Sequence, residues 1–496
     1  MFVFPLARFR HRSVSGCLAG WFLPATLALP LACGGGGAGG TQDSPAPPRI
    51  TYPVPTITAI AGLPLAPQVP AVTGPVTQFT ISPALPTGLG LNPTNGAISG
   101  TPAAAAPPTT YSVEAANAEG SSAASLVLSV SANRPRLLQC SEAVPTTAAV
   151  VGDLANLALS PYDGLILALM AGRVALSTTP YNTGLLADDA VNLPKINSTQ
   201  LTDNFLLVRG GADAGFDRFS DADWVQALAN LTTTAQYARL GHLKGLAFDP
   251  EAYASEGQTS LFDYRTYDSS THTFAQCQAN LRLRGQQIMT AIQEAYPDST
   301  VFLLSGLGAL RSGTTADYPA ADFPAMEYGL MPDFLNGMLD VLAPGMVIVD
   351  GNETSYPFYN GAFYSNLKTL ELGADAQTLV SPANLFKYQS QVQAGMADYL
   401  DATFNLYHSP DYLAYYLPSA DYPAFFQYQL YYGLTSAVQY LWVYSETTDW
   451  LARTNIPAGA EAAMLNAKAE VSGGQPLGVD IQGALQDAAT SSGMGW

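Results

Sequence analysis

Two rhythms of apolar and polar residues divide the chain. From residue 51 to 132, short alternating segments such as "TQFTISP", "GAISGTP" and "TYSVEAANAEG" are separated by Gly, Pro and Asn. A period of two with frequent turn residues predicts an antiparallel all-β sandwich. After "NRPR" the apolar runs become continuous: 163–169 "DGLILAL", 204–209 "NFLLVR", 243–248 "LKGLAF", 300–306 "TVFLLSG", 346–351 "MVIVDG" and 439–446 "QYLWVYSE". Helical runs lie between them, among them "DADWVQALANLTTTAQYARL" and "FAQCQANLRLRGQQIMTAIQEAYPD". Strands apolar on both faces, alternating with helices, predict a parallel sheet covered on both sides. Six visible strands, with room for two obscure ones, predict a (β/α)8 barrel over residues 133–478. An open doubly wound sheet is the alternative. The fold class expected is therefore α/β, a TIM barrel preceded by a small all-β sandwich at 51–132 and followed by a C-terminal tail at 479–496.

The first 33 residues follow neither rhythm. "MFVFPLARFRHR" supplies a basic segment and "VSGCLAGWFLPATLALPLA" an apolar one, the pattern of an export signal. "LPLAC" ending at Cys33 resembles a bacterial lipoprotein signal, with Pro30 where Leu is usual. The resemblance implies lipidation at Cys33 and a membrane anchor that does not span. Gly34 after the cysteine implies the outer membrane or cell surface. Residues 34–50, Gly- and Pro-rich, are then a flexible tether.

Composition narrows the partners. The 496 residues carry a formal net charge of −19, and only 12% are charged. Removing Arg8, Arg10 and Arg12 with the leader leaves 17 basic against 39 acidic residues, about −22. Such a surface repels phosphate backbones, which excludes nucleic acid as a partner. Twenty-six tyrosines suit an exported protein that stacks sugars. Beyond the leader only His242, His272 and His408 remain, without zinc spacing, and no G-x-S-x-G elbow is present. "GLGALRSG" has Arg311 where a dinucleotide fingerprint needs its third glycine. No cofactor and no metal are expected. Cys140 and Cys277 lack metal spacing; an export compartment would let them pair, but the sequence leaves that open.

Acids and aromatics collect where the apolar runs end. "FDPEAY" places Asp249, Glu251 and Tyr253 after one strand, with the two acids on one face if the strand continues. "VDGNETSY" places Asp350, Asn352, Glu353 and Tyr356 after another. "LWVYSETTDW" supplies Trp442, Tyr444, Glu446 and Trp450, and "LLVRGGAD" supplies Arg209. In a barrel these ends share the C-terminal face, where active sites of that fold lie. Each has a plainer reading: Asp249 as a cap or an Asp-Pro turn, Glu353 as a solvated turn, and Glu446 as a structural partner of Arg209 or of a backbone amide. Glycoside hydrolysis needs one carboxyl protonated and one ionised across the sugar, and crowded acids beside aromatic walls provide that split.

Two family resemblances follow from these motifs. "FTISPALPTGLGLNPTNGAISGTP", with Leu85, Pro86, Gly88, Leu89, Gly96, Ile98, Gly100, Thr101 and Pro102, resembles the He-PIG-like Ig domains of bacterial surface proteins. That resemblance implies a spacer or adhesion unit. "GLAFDPEAY", "RLRGQQIMTAIQEAYPDSTVFLL", "YGLMPDFLNGMLDVL", "VIVDGNETSY" and "AVQYLWVYSETTDWL" together resemble uncharacterised glycoside-hydrolase-like TIM barrels of bacteria. This second resemblance implies a fold and a carbohydrate substrate. Chitinase-type enzymes share D-x-E, but their longer D-x-x-D-x-D-x-E would need acids at Lys244 and Ala247.

The expectation is a surface-anchored glycosidase acting on a poly- or oligosaccharide. Glu251 is the general acid/base, Asp249 its pKa partner, Glu353 the nucleophile or base, and Glu446 the reserve carboxylate. Arg209, Tyr253, Asp350, Asn352, Tyr356, Trp442, Tyr444 and Trp450 are the substrate-binding candidates. The competing expectation is a non-catalytic carbohydrate-binding or adhesion lipoprotein.

Overall fold

The computed structural model describes residues 46–52, 55–62, 65–131, 134–196, 200–266, 270–310, 321–368, 372 and 375–496. Cys33, the leader and most of the tether lie outside these residues. The N-terminal module contains β1 (Arg49–Thr51), β2 (Thr56–Ile60), β3 (Leu65–Gln68), β4 (Ala71–Thr73), β5 (Gln78–Ser82), β6 (Leu89–Leu91), β7 (Ile98–Gly100), β8 (Ala106–Asn117) and β9 (Gly120–Ser131). One sheet runs β2-β9-β8-β5 and a second β3-β7-β6, with β1 and β4 paired separately. Alternate residues of β8 and β9, including Tyr111, Val113, Leu126 and Leu128, bury against Phe79 and Ile98. The Leu-Pro-Thr-Gly-Leu segment (85–89) and the Gly-Thr-Pro segment (100–102) meet backbone to backbone. Gly88 and Gly100 have φ of +96° and +127°, and a Cβ on either would lie 2.0 or 2.2 Å from a facing carbonyl oxygen.

The second module is a closed barrel. Its strands are β10 (Arg136–Ser141), β11 (Gly164–Leu167), β12 (Phe205–Arg209), β13 (Gly245–Asp249), β14 (Thr300–Leu303), β15 (Val347–Asp350), β16 (Val392–Ala394), β17 (Met396–Tyr399) and β18 (Tyr440–Ser445). All pair in parallel, in the order β16-β15-β14-β13-β12-β11-β10-β18-β17. The two ends of that row are halves of one segment, separated by Gly395 alone. β16 bonds to β15, and β17 bonds to β18. The nine assigned strands are thus eight staves in a ring.

Alternation divides the barrel residues into two cores. Leu138, Ile166, Phe205, Leu207, Phe302, Val349, Tyr440 and Trp442 fill the lumen. Leu137, Leu165, Leu206, Leu246, Val301, Ile348 and Leu441 face the surrounding helices. The helix Phe274–Ala295 shows how those helices answer. Cys277, Leu281, Arg284, Ile288 and Ile292 recur at three- and four-residue spacing and are buried, and Thr273 with Gln276 forms a capping box at its start.

The two obscure strands were β10 and the split β16/β17. β10 is "RLLQCS", immediately after the sandwich, and the split stave is "VQAGMADY", whose glycine and polar residues hide its period. The 479–496 segment contains a helix, Gln482–Ser492, that buries Leu485, Ala488 and Ala489 against Leu413 and Phe425. Cys140 and Cys277 are both buried and free, Cys140 in the lumen and Cys277 on an outer helix. Among the described residues no helix is long and apolar enough to cross a membrane.

β13, which carries the Asp-Pro-Glu motif, begins at a contact that admits no side chain. A Cβ on Gly245 would lie 1.9 Å from the Thr300 carbonyl oxygen of β14. Gly245→Ala is expected to lower stability by about 1–3 kcal/mol, the usual cost of forcing atoms into a packed site. Urea denaturation checks this; an unchanged midpoint would show that the strands separate without strain.

Candidate active site

Extending the inward alternation to the C-terminal ends of the strands places six polar side chains around one rim. They are Glu142 after β10, Arg209 on β12, Asp249 on β13, Tyr399 on β17, and Tyr444 and Glu446 at the end of β18.

β13 stops at Asp249 because Pro250 has no N–H to continue the ladder. Asp249 and Glu251 are therefore not two places along one strand, as the spacing suggested. They are the first and third residues of an Asx turn in which Asp249 Oδ1 accepts the Glu251 N–H at 3.0 Å. Asp249 Oδ2 accepts the Tyr253 hydroxyl at 2.7 Å. Burial raises the Asp249 pKa, opposed by those two hydrogen bonds and by the charge of Arg209. Glu251 is pushed up to about 8, first by burial and then by the charges of Asp249 and Glu327.

Glu353 follows β15 on a turn begun by Asn352 in the left-handed conformation. Burial holds its pKa well above the ordinary value; the charges of Glu251 and Asp249 raise it further, and a hydrogen bond from Tyr356 opposes them. The charges of Glu251 and Asp249 act on Glu353, so the three carboxyls form one cluster rather than lying at opposite ends of the barrel. Burial raises the thiol pKa of Cys140, beneath the rim, and the charges of Asp249, Glu353 and Glu142 raise it further.

Arg209 is buried and turns from the acids to another partner. Its Nη1 donates to Glu256 at 2.6 Å, and its guanidinium lies 3.8 Å from the centre of the Tyr253 ring. A pairing of Arg209 with Glu446 does not form. Glu446 is exposed and accepts hydroxyl hydrogens from Tyr399 at 2.7 Å and Tyr407 at 2.5 Å.

Several substrate-binding candidates serve inside the fold instead. Asp350 falls on the outward parity of β15, since its neighbour Val349 fills the lumen. Its buried carboxylate accepts the N–H groups of Gly306 (3.1 Å), Leu307 (2.8 Å) and Asn352 (3.3 Å). Asn352 is fully buried and donates to the carbonyls of Asp350 and Gly395. Trp450 packs edge-on against Tyr162 in the outer core, ring centres 5.0 Å apart, with neither face free. Trp442 is buried in the lumen, its indole N–H on the Gly351 carbonyl at 2.8 Å. It supports Tyr356, which stacks on Tyr444 at 5.8 Å and 20°; both tyrosines are partly exposed.

Sequence reading missed Glu142, whose Oε2 accepts the Tyr444 hydroxyl at 2.7 Å. Its charge raises Asp249, Glu251 and Cys140. A signal was present: "CSE" and "YSE" end adjacent staves, and Ser141 pairs in register with Ser445. Glu327, Tyr399 and Tyr407 were missed because they sit on loops or on the unrecognised stave. A cavity of about 240 Å³ lies at the opposite end of the barrel, beside Arg136, Asp163 and Lys468. Its charges already pair with one another, Lys468 to Asp163 at 2.8 Å, so it is not the candidate.

Comparison with known proteins covers the two modules unequally. Residues 47–131 match the family described as "Putative Ig domain". No curated protein matches the chain. Among solved structures, a "putative alpha-galactosidase" of Bacteroides fragilis is 11% identical with a TM-score of 0.34, over 86% of this chain and 79% of that one. A "putative alpha-galactosidase/melibiase" of the same organism is also 11% identical at 0.34, over 88% and 81%. An endo-fucoidan hydrolase of glycoside hydrolase family 107 is 20% identical at 0.16, over 20% and 22%.

The raised carboxyls make stability depend on pH. Glu251 and Asp398 at about 8 and Asp350 at about 6 bind protons more tightly folded than unfolded. Their contribution is complete below the ordinary carboxylate range and is lost as pH rises through 6 to 8. The melting temperature is expected to fall between pH 5 and pH 8 at constant ionic strength, and to fall less in Glu251→Gln. Equal slopes in the two proteins would contradict the account.

Proposed function

We propose that the barrel hydrolyses glycosidic bonds of a neutral poly- or oligosaccharide by carboxylate acid/base catalysis. One observation carries the reading: Glu251, half-buried beside Asp249 at the C-terminal mouth, keeps its proton to about pH 8 and belongs to the same cluster as Glu353. A carboxylic acid that stays protonated near neutrality is what protonating a leaving oxygen requires.

Glu251 and Glu353 titrate as a pair, and the competent form holds one proton between them, on Glu251. Glu251 gives that proton to the glycosidic oxygen as the bond to the anomeric carbon breaks and its electrons pass to that oxygen. Glu353, ionised, either bonds the carbon directly or takes a proton from the attacking water. Tyr253 and the Glu251 N–H favour the ionised form of Asp249 against the burial that raises its pKa, and its charge favours the proton on Glu251. Tyr356 orients Glu353 and, with Tyr444, offers ring faces to the sugar.

A specific observation favours a second reading. Glu353 is itself held well above the carboxylate range. A mouth in which both glutamates remain protonated would hold a sugar by hydrogen bonds without cleaving it, as a carbohydrate-binding or adhesion protein does. Either way, acids dominate the mouth and Arg209 is already paired with Glu256. Neutral sugars are therefore favoured over sulfated or uronate polymers. We also infer, from the leader pattern alone, that a lipid on Cys33 anchors the chain at the outer membrane or cell surface; a clickable fatty acid should label the wild type but not Cys33→Ala.

Full-length protein assayed against neutral and anionic polysaccharides, with product sizing, tests the reading. Activity is expected on a neutral polymer, and Glu251→Gln should lower kcat by roughly 10²–10⁴-fold. Activity should decline as pH rises through about 8, where Glu251 loses its proton. Asp249→Asn should move that decline to lower pH, because the charge that holds the proton is gone. Binding without turnover across the panel would decide for the second reading.

A further inference from the structure

We propose that Tyr407 and Tyr412, beside the candidate active site, form a separate stacking subsite for the next sugar of a neutral oligosaccharide, with Glu446 as its positioning residue. The inference rests on the carbohydrate reading of the site and names a part of it that the acid cluster does not include.

The subsite begins at Tyr399. Its ring centre is 5.4 Å from Tyr356, which bonds to Glu353, and 5.3 Å from Tyr444, which bonds to Glu142. On its other side Tyr407 lies at 6.1 Å and Tyr412, edge-on at 88°, at 6.0 Å. The aromatic packing is thus continuous from the acids outward, and it passes from the buried Tyr399 to Tyr407, which is 37% exposed. A face that opens to solvent while touching the site at its inner edge suits a substrate longer than one ring. The negative ring faces attract the weakly positive C–H groups of a pyranose.

Glu446 holds this surface in place. Its two oxygens accept from Tyr399 and Tyr407, and those two hydroxyls are themselves 3.0 Å apart. Asp401 fixes the backbone that carries Glu446, accepting the N–H groups of Glu446 at 2.7 Å and Thr447 at 3.2 Å. The loop that carries Tyr407 is equally constrained. Leu406 N–H donates to the Asp401 carbonyl at 2.9 Å, and Asn405 and His408 flank the tyrosine in left-handed turns with φ of 51° and 50°. Both oxygens of Glu446 are thus held by tyrosine hydroxyls. Its charge acts on Tyr399, Tyr407, Tyr412 and Tyr444, and it is not among the leading influences on Glu251 or Glu353. A rigid, preordered ring loses little freedom on binding, which is why a positioning carboxylate helps affinity.

Calorimetry tests this with neutral gluco-, galacto- and manno-oligosaccharides of one to six units, titrated into full-length Glu251→Gln so that turnover does not intervene. Affinity for the oligomer class that binds is expected to rise with length. Adding Tyr407→Ala or Tyr412→Ala should weaken the longer oligomers by roughly tenfold while leaving the shortest unchanged, in line with one aromatic contact. Glu446→Ala should do the same, and Glu446→Gln, which keeps an acceptor, should restore part of the loss. Unchanged affinity for long oligomers in both tyrosine variants overturns the subsite and leaves the hydrolase reading standing. A length-dependent loss in a protein that never turns a sugar over keeps the subsite and removes the hydrolase. No binding by any oligomer of the set overturns both. On a substrate the wild type cleaves, Glu446→Ala should raise KM with kcat kept; a kcat loss of about 100-fold with KM unchanged would make Glu446 catalytic and overturn its positioning role.

Discussion

The joint at Gly395 joins the two edges of the sheet, and the arrangement of the mouth follows from it. Val392–Ala394 bonds to one neighbour and Met396–Tyr399 to the other, so a single stave with a change of direction completes the ring. The Gly395 N–H donates to the Asp350 carbonyl at 2.7 Å, and Asn352 Nδ2 donates to the Gly395 carbonyl at 3.0 Å. The Asp350 carboxylate in turn gathers the N–H groups of Gly306 and Leu307 from the end of β14. Asp350 and Asn352 thus bind three strand ends together. Glu353 stands on the turn that they hold.

Closure creates the electrostatic problem that gives the site its character. Inward parity brings Glu142, Asp249 and the glutamates just beyond the strands to one rim, where burial disfavours charge on Asp249, Glu251 and Glu353. The fold answers unevenly. Asp249 receives a hydroxyl, an N–H and a nearby guanidinium, so its ionised form is the best supported. Glu251 and Glu353 receive little that offsets burial and mutual repulsion. Differences of environment among like groups are what separate an acid from its conjugate partner in carboxylate chemistry.

Tyrosine is used in two distinct ways around this mouth. Tyr253 and Tyr356 spend their hydroxyls on the acids and regulate where protons reside. Tyr399 and Tyr407 spend theirs on Glu446; Tyr399 is buried, and Tyr407 presents ring surface instead. Arg209 links the first group to the outer shell by stacking on Tyr253 while pairing with Glu256. The large tyrosine content therefore supports proton placement and surface shape rather than general packing alone.

Much of this was legible in the linear pattern. Period-two segments with Gly-Thr-Pro turns specified the sandwich, because Gly88 and Gly100 must approach a facing carbonyl that no side chain would allow. Continuous apolar runs specified six staves, since strands covered on both faces admit few polar residues. Acids at the ends of those runs located the rim, and Asp249, Glu251 and Glu353 meet there. Pairing and parity lay beyond reach. The stave "VQAGMADY" is too short and too interrupted to show its period, and without it Tyr399 has no address. Asp350 and Asp249 look equivalent in sequence, each closing an apolar run, yet one faces the backbone of a neighbouring strand and the other the lumen. Trp450 looks like a sugar platform and is a core residue. Local sequence determines which residues can end a strand. Which of them share a cleft depends on strand register and ring closure, which are set by hydrogen bonds between segments far apart in the chain.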